Sequence, residues 1–184
     1  MNYFLLFGSF EDGEGSFGEL DPKKLKFYHP DYTLHQKRSL VEVDDCYDER
    51  GMSDFLKKGK GFLASAKVQK VFFEHGFTGL QFLPVIVKND TEFTDYAFIN
   101  PVVHHDLLDP IASKARRFSE SIGGYSSVYD PIIDRKKYNA TKIEHDCFTL
   151  STYKSDYYVS EPVKLALEAA GVTGVTFMPM EFSS

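Results

Sequence analysis

Apolar and polar residues alternate along several short stretches of the chain, and this pattern predicts β-strands. Leu40–Val43 shows this alternation, while the aromatic run Tyr3–Phe7 and the stretch Tyr96–Ile99 are short apolar runs that also predict strands. Further short strands are predicted at Val102–Leu108, Cys147–Leu150 and Tyr157–Val159. Residues 44–61 are mostly charged, polar or glycine, and this composition predicts a loop.

Two other stretches combine helical spacing with nearly the same sequence. FLASAKVQKVFFEHGFTGLQFLPVIV spans residues 62–87, and YYVSEPVKLALEAAGVTGVTFMPMEF spans residues 157–182. They align without gaps at an offset of 95, with seven identical pairs. The identical pairs are Ser65/Ser160, Val68/Val163, Gly76/Gly171, Thr78/Thr173, Gly79/Gly174, Phe82/Phe177 and Pro84/Pro179.

Each copy predicts a helix with recognisable ends. Ser65 and Ser160 stand where an N-cap belongs, so each hydroxyl is expected to accept a hydrogen bond from a first-turn amide. Gly76 and Gly171 follow the helical stretches, where a left-handed C-terminal cap favours glycine. The copies are therefore predicted to be two cap–helix–turn–strand units.

The end of each copy predicts a tight Thr-Gly turn and then a strand. Phe82 and Phe177 occupy matching strand positions, and Pro84 and Pro179 are expected at a strand edge or end, where a missing N–H costs least. Periodic apolar faces are typical of a core, so we interpret both copies as architecture rather than as a ligand motif. The prediction is a single α+β domain over residues 1–184, with a mixed or antiparallel sheet and a few short helices.

The bulk composition narrows the class of protein. Of 184 residues, 42% are hydrophobic and 26% charged, which is ordinary for a globular protein. A net charge of -6 repels nucleic acid and anionic membranes and favours a basic partner. The two cysteines, Cys46 and Cys147, make no disulfide framework. With neither a signal peptide nor an apolar span of ~20 residues, the chain is expected to be cytoplasmic.

Residues Gly13–Gly18 match the glycine pattern of a dinucleotide-binding loop. The context does not fit, because Glu-Leu-Asp-Pro follows where a helix should begin, and Glu11, Asp12 and Glu14 would repel a phosphate. We therefore interpret Gly8–Pro22 as an acidic loop.

Histidine clusters at 104–106 and 145–147 contain metal-ligand residue types without the paired spacing of a zinc site. No nucleophile or metalloprotease motif occurs, and the basic groups are short and offset by acidic neighbours. We therefore predict no metal, no cofactor, no catalytic residues and no nucleic-acid partner.

The order and spacing of these motifs over residues 54–182 resemble the eleventh family of polymorphic-toxin immunity proteins. The matching positions are Asp54, Ser65, Gly79, Phe82, Pro84, Tyr96, Asn100, Phe148, Ser160, Leu167, Gly174 and Phe177. The resemblance implies a cytoplasmic, antitoxin-like protein that binds a cognate toxin domain and blocks it, with no established catalytic residues to transfer.

Acidic residues cluster at Glu11–Glu14 and again at Asp44–Glu49. An acidic surface steers association with a basic target, such as a nuclease domain, and an aromatic residue among the acids can anchor it. The candidate toxin-binding residues are Asp44, Asp45, Tyr47, Asp48 and Glu49. The alternatives are a solvated acidic loop, a binding or scaffold module without an immunity role, or an enzyme using a small anion at Gly13–Gly18. The sequence leaves the oligomeric state open.

Overall fold

The computed structural model describes residues 2–9, 39–42, 52–58, 61–88 and 91–184. These described residues contain three helices, α1 (Ala66–His75), α2 (Arg135–Ala140) and α3 (Glu161–Ala169). They also contain thirteen strands, numbered in chain order: β1 Tyr3–Gly8, β2 Ser39–Glu42, β3 Phe55–Lys58, β4 Gly61–Ala64, β5 Leu80–Lys88, β6 Glu92–Phe93, β7 Ala97–Pro101, β8 His104–His105, β9 Arg116–Ser119, β10 Gly124–Ser127, β11 Cys147–Leu150, β12 Tyr153–Ser160 and β13 Val175–Pro179.

The strands form two mixed sheets and a separate hairpin. The first sheet has the order β2-β5-β7-β4-β3, with β6 beside β5, and the second has the order β13-β1-β12-β11-β8. Pairing is antiparallel except between β2 and β5 and between β8 and β11. Strands β9 and β10 pair only with each other. The predicted α+β class with mixed sheets is therefore confirmed.

In each sheet, the two strands that flank a repeat helix are separated by a third strand. Strand β1 begins the chain but lies between β12 and β13, with Tyr3 opposite Ser160. Strand β7 follows β5 in sequence and lies between β4 and β5, with Ala97 opposite Ala64. Because β1 completes the second sheet, the β3–β5 and β11–β13 segments belong to one interlocked domain.

The central core includes residues from both sheets and from helices α1 and α3. Phe62 of β4 packs edge-on against Tyr157 of β12, with ring centroids 5.3 Å apart. The Tyr157 hydroxyl donates a hydrogen bond to the Ile99 carbonyl of β7. Val68 and Val163 bury the matching faces of the two helices in the same core. This polar bond and these aromatic contacts fix how the two sheets face each other.

Several local predictions can be compared with these elements. The strands at Tyr3–Gly8, Ser39–Glu42 and Cys147–Leu150 confirm the strands predicted there. The strand expected over residues 102–108 is reduced to His104–His105. The loop predicted over residues 44–61 is wrong in part, because Phe55–Lys58 pairs with the next strand as a hairpin.

Candidate functional site

The two cap serines stand at the predicted helix starts, but their hydroxyls have a different role. Ser65 and Ser160 are the N-cap residues of α1 and α3, and neither side chain bonds a first-turn amide. The Ser65 hydroxyl instead donates to Asp54 Oδ1 at 2.8 Å, and the Ser160 hydroxyl donates to Asp146 Oδ1 at 3.3 Å. The predicted capping bonds are therefore wrong: each hydroxyl donates a charge-assisted hydrogen bond to a carboxylate, and its oxygen accepts from no first-turn amide.

The second oxygen of each carboxylate binds the Thr-Gly turn of the opposite copy. Asp54 Oδ2 accepts from the Thr173 amide at 3.0 Å and from the Thr173 hydroxyl at 3.3 Å. Asp146 Oδ2 accepts from the Thr78 amide at 2.9 Å and from the Thr78 hydroxyl at 3.0 Å. We call these the Asp54 latch (Asp54, Ser65, Thr173) and the Asp146 latch (Asp146, Ser160, Thr78). Each latch ties the start of one helix to the turn after the other.

One tyrosine hydroxyl makes a hydrogen bond beside each latch, and the two bonds correspond to each other. The Tyr96 hydroxyl donates to the Ser53 carbonyl at 2.8 Å, and the Tyr3 hydroxyl donates to the His145 carbonyl at 2.9 Å. Each carbonyl belongs to the residue before a latch aspartate. Burial raises the pKa of Tyr3 to about 12 and raises the pKa of Tyr96 further, so both hydroxyls stay protonated donors at neutral pH.

Asp54 differs from its counterpart because a lysine also contacts it. Lys67 Nζ lies 3.0 Å from Asp54 Oδ2, and the position at the same offset in the second copy is Pro162. Burial alone would raise the pKa of Asp54, but hydrogen bonds from Ser65, Lys67 and Thr173 outweigh it and lower that pKa below 3.8.

The turn glycines are required by close backbone contact. Gly79 and Gly174 have φ values of +98° and +80°. A Cβ atom on Gly79 would overlap the carbonyl oxygen of Cys147, and one on Gly174 would overlap that of Phe55. The sequence indicated a tight turn here but could not show that a strand from the other copy passes against it.

The signature phenylalanines belong to the core, as the pattern predicts. Phe82 of β5 packs edge-on against Phe72 of α1 at 5.3 Å, and Phe177 of β13 packs against the same central core. Neither aromatic ring is left as a ligand platform.

The two signature prolines occupy different environments. Pro179 ends β13, as predicted. Pro84 lies inside β5, between β7 and β2, so the edge prediction is wrong there. The Val85 amide donates a hydrogen bond to the Tyr96 carbonyl on the β7 side. Because successive backbone amides in a strand point to opposite sides, the Pro84 nitrogen faces the β2 side. Pairing with β2 begins only at Val85, and no ladder bond is lost.

The candidate toxin-binding residues lie outside the described residues, and so does the Gly13–Gly18 loop. These are Asp44, Asp45, Tyr47, Asp48 and Glu49, whose proposed role stays a prediction.

The histidine pair on β8 is half-buried, and each ring contacts a different neighbour on β11. His104 Nδ1 lies 2.6 Å from the Thr149 hydroxyl, and the His105 ring packs edge-on against Phe148 at 5.1 Å. Burial lowers the pKa of His104 to about 4 and also lowers that of His105. Within the described ranges, no group of three or more His, Cys, Asp or Glu residues could hold a metal ion. Both imidazoles are therefore neutral at neutral pH, and the absence of a metal stays a prediction.

The β9–β10 hairpin and its flanks expose several large apolar side chains. Tyr129 is 75% exposed, and Ile111, Phe118 and Ile122 are exposed as well. We call residues 111–129 the hairpin surface. Phe118 packs edge-on against Tyr125. The backbone amide of Tyr125 donates a hydrogen bond to the Thr152 carbonyl, and this bond anchors the hairpin. Four large exposed apolar residues in one segment make it a candidate interaction surface.

The same hairpin surface is basic and carries backbone strain. Lys114, Arg116 and Arg117 are exposed, and Lys114 Nζ lies 5.3 Å from the centroid of the Tyr129 ring. Among the described non-glycine residues, only Lys114 and Arg117 have positive φ, at 49° and 55°. Strained backbone at two exposed basic residues is more common at functional surfaces than elsewhere.

Comparisons with known proteins add no relative. A scan against protein-family models gives no match, and a search of curated proteins gives none either. Where the chain is described, no helix combines the length and apolarity needed to span a membrane.

Proposed function

We propose that this protein is an antitoxin-like immunity protein, which binds a cognate toxin domain in the cytoplasm and blocks it by steric occlusion. The proposal is supported by the order of motif residues from Asp54 to Phe177, which resembles an immunity-protein family. It requires a stable binding surface and no chemistry.

The hairpin surface is the observation that carries a binding function. Exposed Phe118 and Tyr129 lie in the same segment as exposed Arg116. Aromatic residues and arginine are enriched among the residues that dominate protein interfaces. Aliphatic Ile111 and Ile122 add apolar area that a nucleic acid would not use, which favours a protein partner.

The hairpin alone equally supports a protein-binding module without an immunity role. The two functions differ in their partner. An immunity protein must rescue cells from the toxin encoded beside its own gene, whereas another binding module need not.

The first test is co-expression with the C-terminal toxin domain of the neighbouring polymorphic protein. We expect growth rescue and a stable complex on size-exclusion chromatography. Absence of both rescue and complex would reject the immunity function for that pair.

A second experiment locates the interface. The variant Arg116→Glu/Phe118→Ala should weaken the complex at least tenfold, about 1.4 kcal/mol. The matched control is Lys70→Glu/Phe73→Ala, which changes an exposed cation and an exposed aromatic residue on α1. If the two variants bind the toxin domain with equal affinity, the hairpin surface is not part of the interface.

The acidic segment gives a separate kinetic test. Reversing Asp44, Asp45, Asp48 and Glu49 to lysine should slow toxin association and flatten its dependence on salt, because steering acts on the association rate. Unchanged association kinetics would eliminate this segment as the steering element.

A further inference from the structure

The two copies of the repeat extend further in the fold than in the aligned sequence. The first sheet contains the strand order β5-β7-β4-β3 and the second contains β13-β1-β12-β11, with antiparallel pairing throughout both runs. Because β4, α1 and β5 correspond to β12, α3 and β13, this shared order makes β7 equivalent to β1 and β3 equivalent to β11. Strand β1 stands at the other end of the chain from the second copy, so no ungapped alignment could include it. We call β3, β4, α1, β5 and β7 the first unit, and β11, β12, α3, β13 and β1 the second unit.

The strand registers test this equivalence independently. In each sheet one residue of the inserted strand pairs with a residue before the helix and with a residue after it: Ala97 with Ala64 and Pro84, and Phe4 with Val159 and Pro179. Both neighbours of Phe4 lie at the repeat offset of 95 from the neighbours of Ala97. One equivalence therefore satisfies two separate strand pairings.

Hydrogen bonds at the ends of these strands repeat in the same way. Tyr96 and Tyr3 each stand one residue before this equivalent pair, and their hydroxyls make the two corresponding bonds beside the latches. Two sets of backbone bonds also correspond: Val102 and Ser9 donate to the carbonyls of Gly79 and Gly174, and Phe55 and Cys147 donate to those of Thr173 and Thr78. The two units thus share their strand order, their registers and the bonds that join their ends.

The contacts between the two units are reciprocal. Each latch joins an aspartate of one unit to the Thr-Gly turn of the other. Phe62 and Tyr157 are equivalent positions of the repeat, and their rings pack against each other in the central core at 5.3 Å. A residue that contacts its own equivalent lies on a two-fold axis, and reciprocal contacts are what such an axis generates. The interface between the units is therefore of the kind that joins two copies of one subunit.

We infer that this chain is two copies of one unit joined as an isologous pair, so that the interaction surface of each unit fits a second copy of the same unit. The natural chain ends interrupt the second unit between β13 and β1. The equivalent point in the first unit lies between β5 and β7, and moving the chain ends there exchanges the roles of the two units. The inference rests on the fold and not on toxin binding, so either can fail alone.

A circular permutant of the full chain tests this equivalence. It begins at Thr91 and ends at Asp90, between β5 and β6, with Ser184 joined to Met1 by a glycine–serine linker of about ten residues. Strand β7 then lies in the first strand pair of the chain's N-terminal part, as β1 does in the natural protein. We expect wild-type circular dichroism, an amide NMR spectrum that changes only near the old and new chain ends, and a Tm within about 5 °C of the wild type.

The matched control moves the chain ends into a unit instead of between its equivalent strands. It begins at Phe77 and ends at Gly76, with the same linker, and so separates α1 from the Thr-Gly turn that binds Asp146. Its Tm should fall by more than about 10 °C, because the latch turn is no longer held by its own helix.

Two further measurements decide the outcome. A second Thr91 permutant with a linker about twice as long removes any strain at the join. In the permutant that folds, Asp146→Ala should lower the Tm by as much as it does in the natural chain, since the interface between the units is retained. If neither Thr91 permutant folds, if both are as unstable as the control, or if Asp146→Ala leaves the permutant's Tm unchanged, the inference is overturned.

Discussion

Replacing Asp54 with alanine should strongly destabilise the protein, because one carboxylate satisfies donors from two distant segments. It accepts bonds from Ser65, Lys67 and the amide and hydroxyl of Thr173, and only 15% of its side chain is exposed. A hydrogen bond to a charged group contributes about 1.5–3 kcal/mol, whereas the exposed Lys67 contact contributes at most about 1 kcal/mol. We expect a loss of about 3 kcal/mol in the free energy of unfolding, or a fall in Tm of about 6–12 °C.

Urea unfolding followed by circular dichroism measures this loss. Asp146→Ala removes the matching latch, in which no lysine contacts the carboxylate. It should therefore lower the free energy of unfolding slightly less than Asp54→Ala does. The control is Asp106→Ala, whose ion pair with Lys137 is on the surface, with the Asp106 side chain 62% exposed, and should contribute less than about 1 kcal/mol. If Asp54→Ala costs no more than Asp106→Ala, the latch does not stabilise the fold as argued.

The pH dependence gives an independent check on the same residue. The folded-state pKa of Asp54 is lowered from 3.8, so the unfolded state binds more protons at low pH. The stabilisation is therefore fully present well above pH 3.8 and is lost as the pH falls through the lower folded-state pKa. The difference in stability between the wild type and Asp54→Ala should shrink over that acid range and stay constant at neutral pH.

Three further tests, with five substitutions in all, address separate features of the fold. Gly79→Ala and Gly174→Ala should each lower the free energy of unfolding in urea by more than about 3 kcal/mol, because a methyl group would overlap a carbonyl oxygen at positive φ. A Cβ atom on Gly171 would meet open space, so the control Gly171→Ala should lower it by only about 1–2 kcal/mol. Equal losses would contradict the close approach of the backbone. Asp156→Asn should stabilise the protein by roughly 1–3 kcal/mol at pH 8. Burial raises the pKa of Asp156 to about 6, so the folded protein loses stability as this carboxyl ionises between pH 3.8 and pH 6. Unfolding measured at pH 4 should therefore show almost no gain from the substitution. Tyr158→Phe should leave Tm unchanged or raise the stability by about 1 kcal/mol in scanning calorimetry, because its hydroxyl lacks a partner, and a clear loss would disprove that.

The elements that the sequence predicted best are those set by local chemistry. Gly76 adopts φ 66° at the end of α1, and its amide bonds the Phe72 and Phe73 carbonyls, as the glycine signal predicted. Left-handed backbone is an intrinsic property of glycine, so no distant residue is needed to infer it. The apolar run of β1 is equally local, since five consecutive apolar or aromatic residues predict a buried strand without reference to any distant residue.

The hairpin at Phe55–Ala64 shows why a charged stretch can conceal strands. Lys57 counts as polar in any pattern, but its Nζ lies 4.9 Å from the Phe7 ring centroid and 5.0 Å from that of Phe62. A lysine buries its aliphatic stem while its ammonium group contacts aromatic faces. Phe7 is far away in sequence, so the pattern around Lys57 could not reveal the strand.

The latches could not be predicted, because their partners are remote in sequence. The N-cap rule treats the serine oxygen as an acceptor for a first-turn amide, whereas the Ser65 hydroxyl acts as a donor to Asp54. Thr173 lies 119 residues from Asp54, and no local period connects them. The repeated Thr-Gly pairs were visible in the sequence, but their reciprocal exchange of partners became evident only in three dimensions.

The latches also change what the family resemblance can support. Half of the residues that carry it belong to the latches or pack directly beside them: Asp54, Ser65, Gly79, Tyr96, Ser160 and Gly174. Such residues are required by the interlocked fold whatever the protein binds, so they report architecture more than partner. The connector between β7 and β11, residues 102–146, provides the hairpin surface. Proteins that share the latches and differ in this connector should therefore share the fold and bind different partners, and experiments on function should vary the connector while leaving the latches intact.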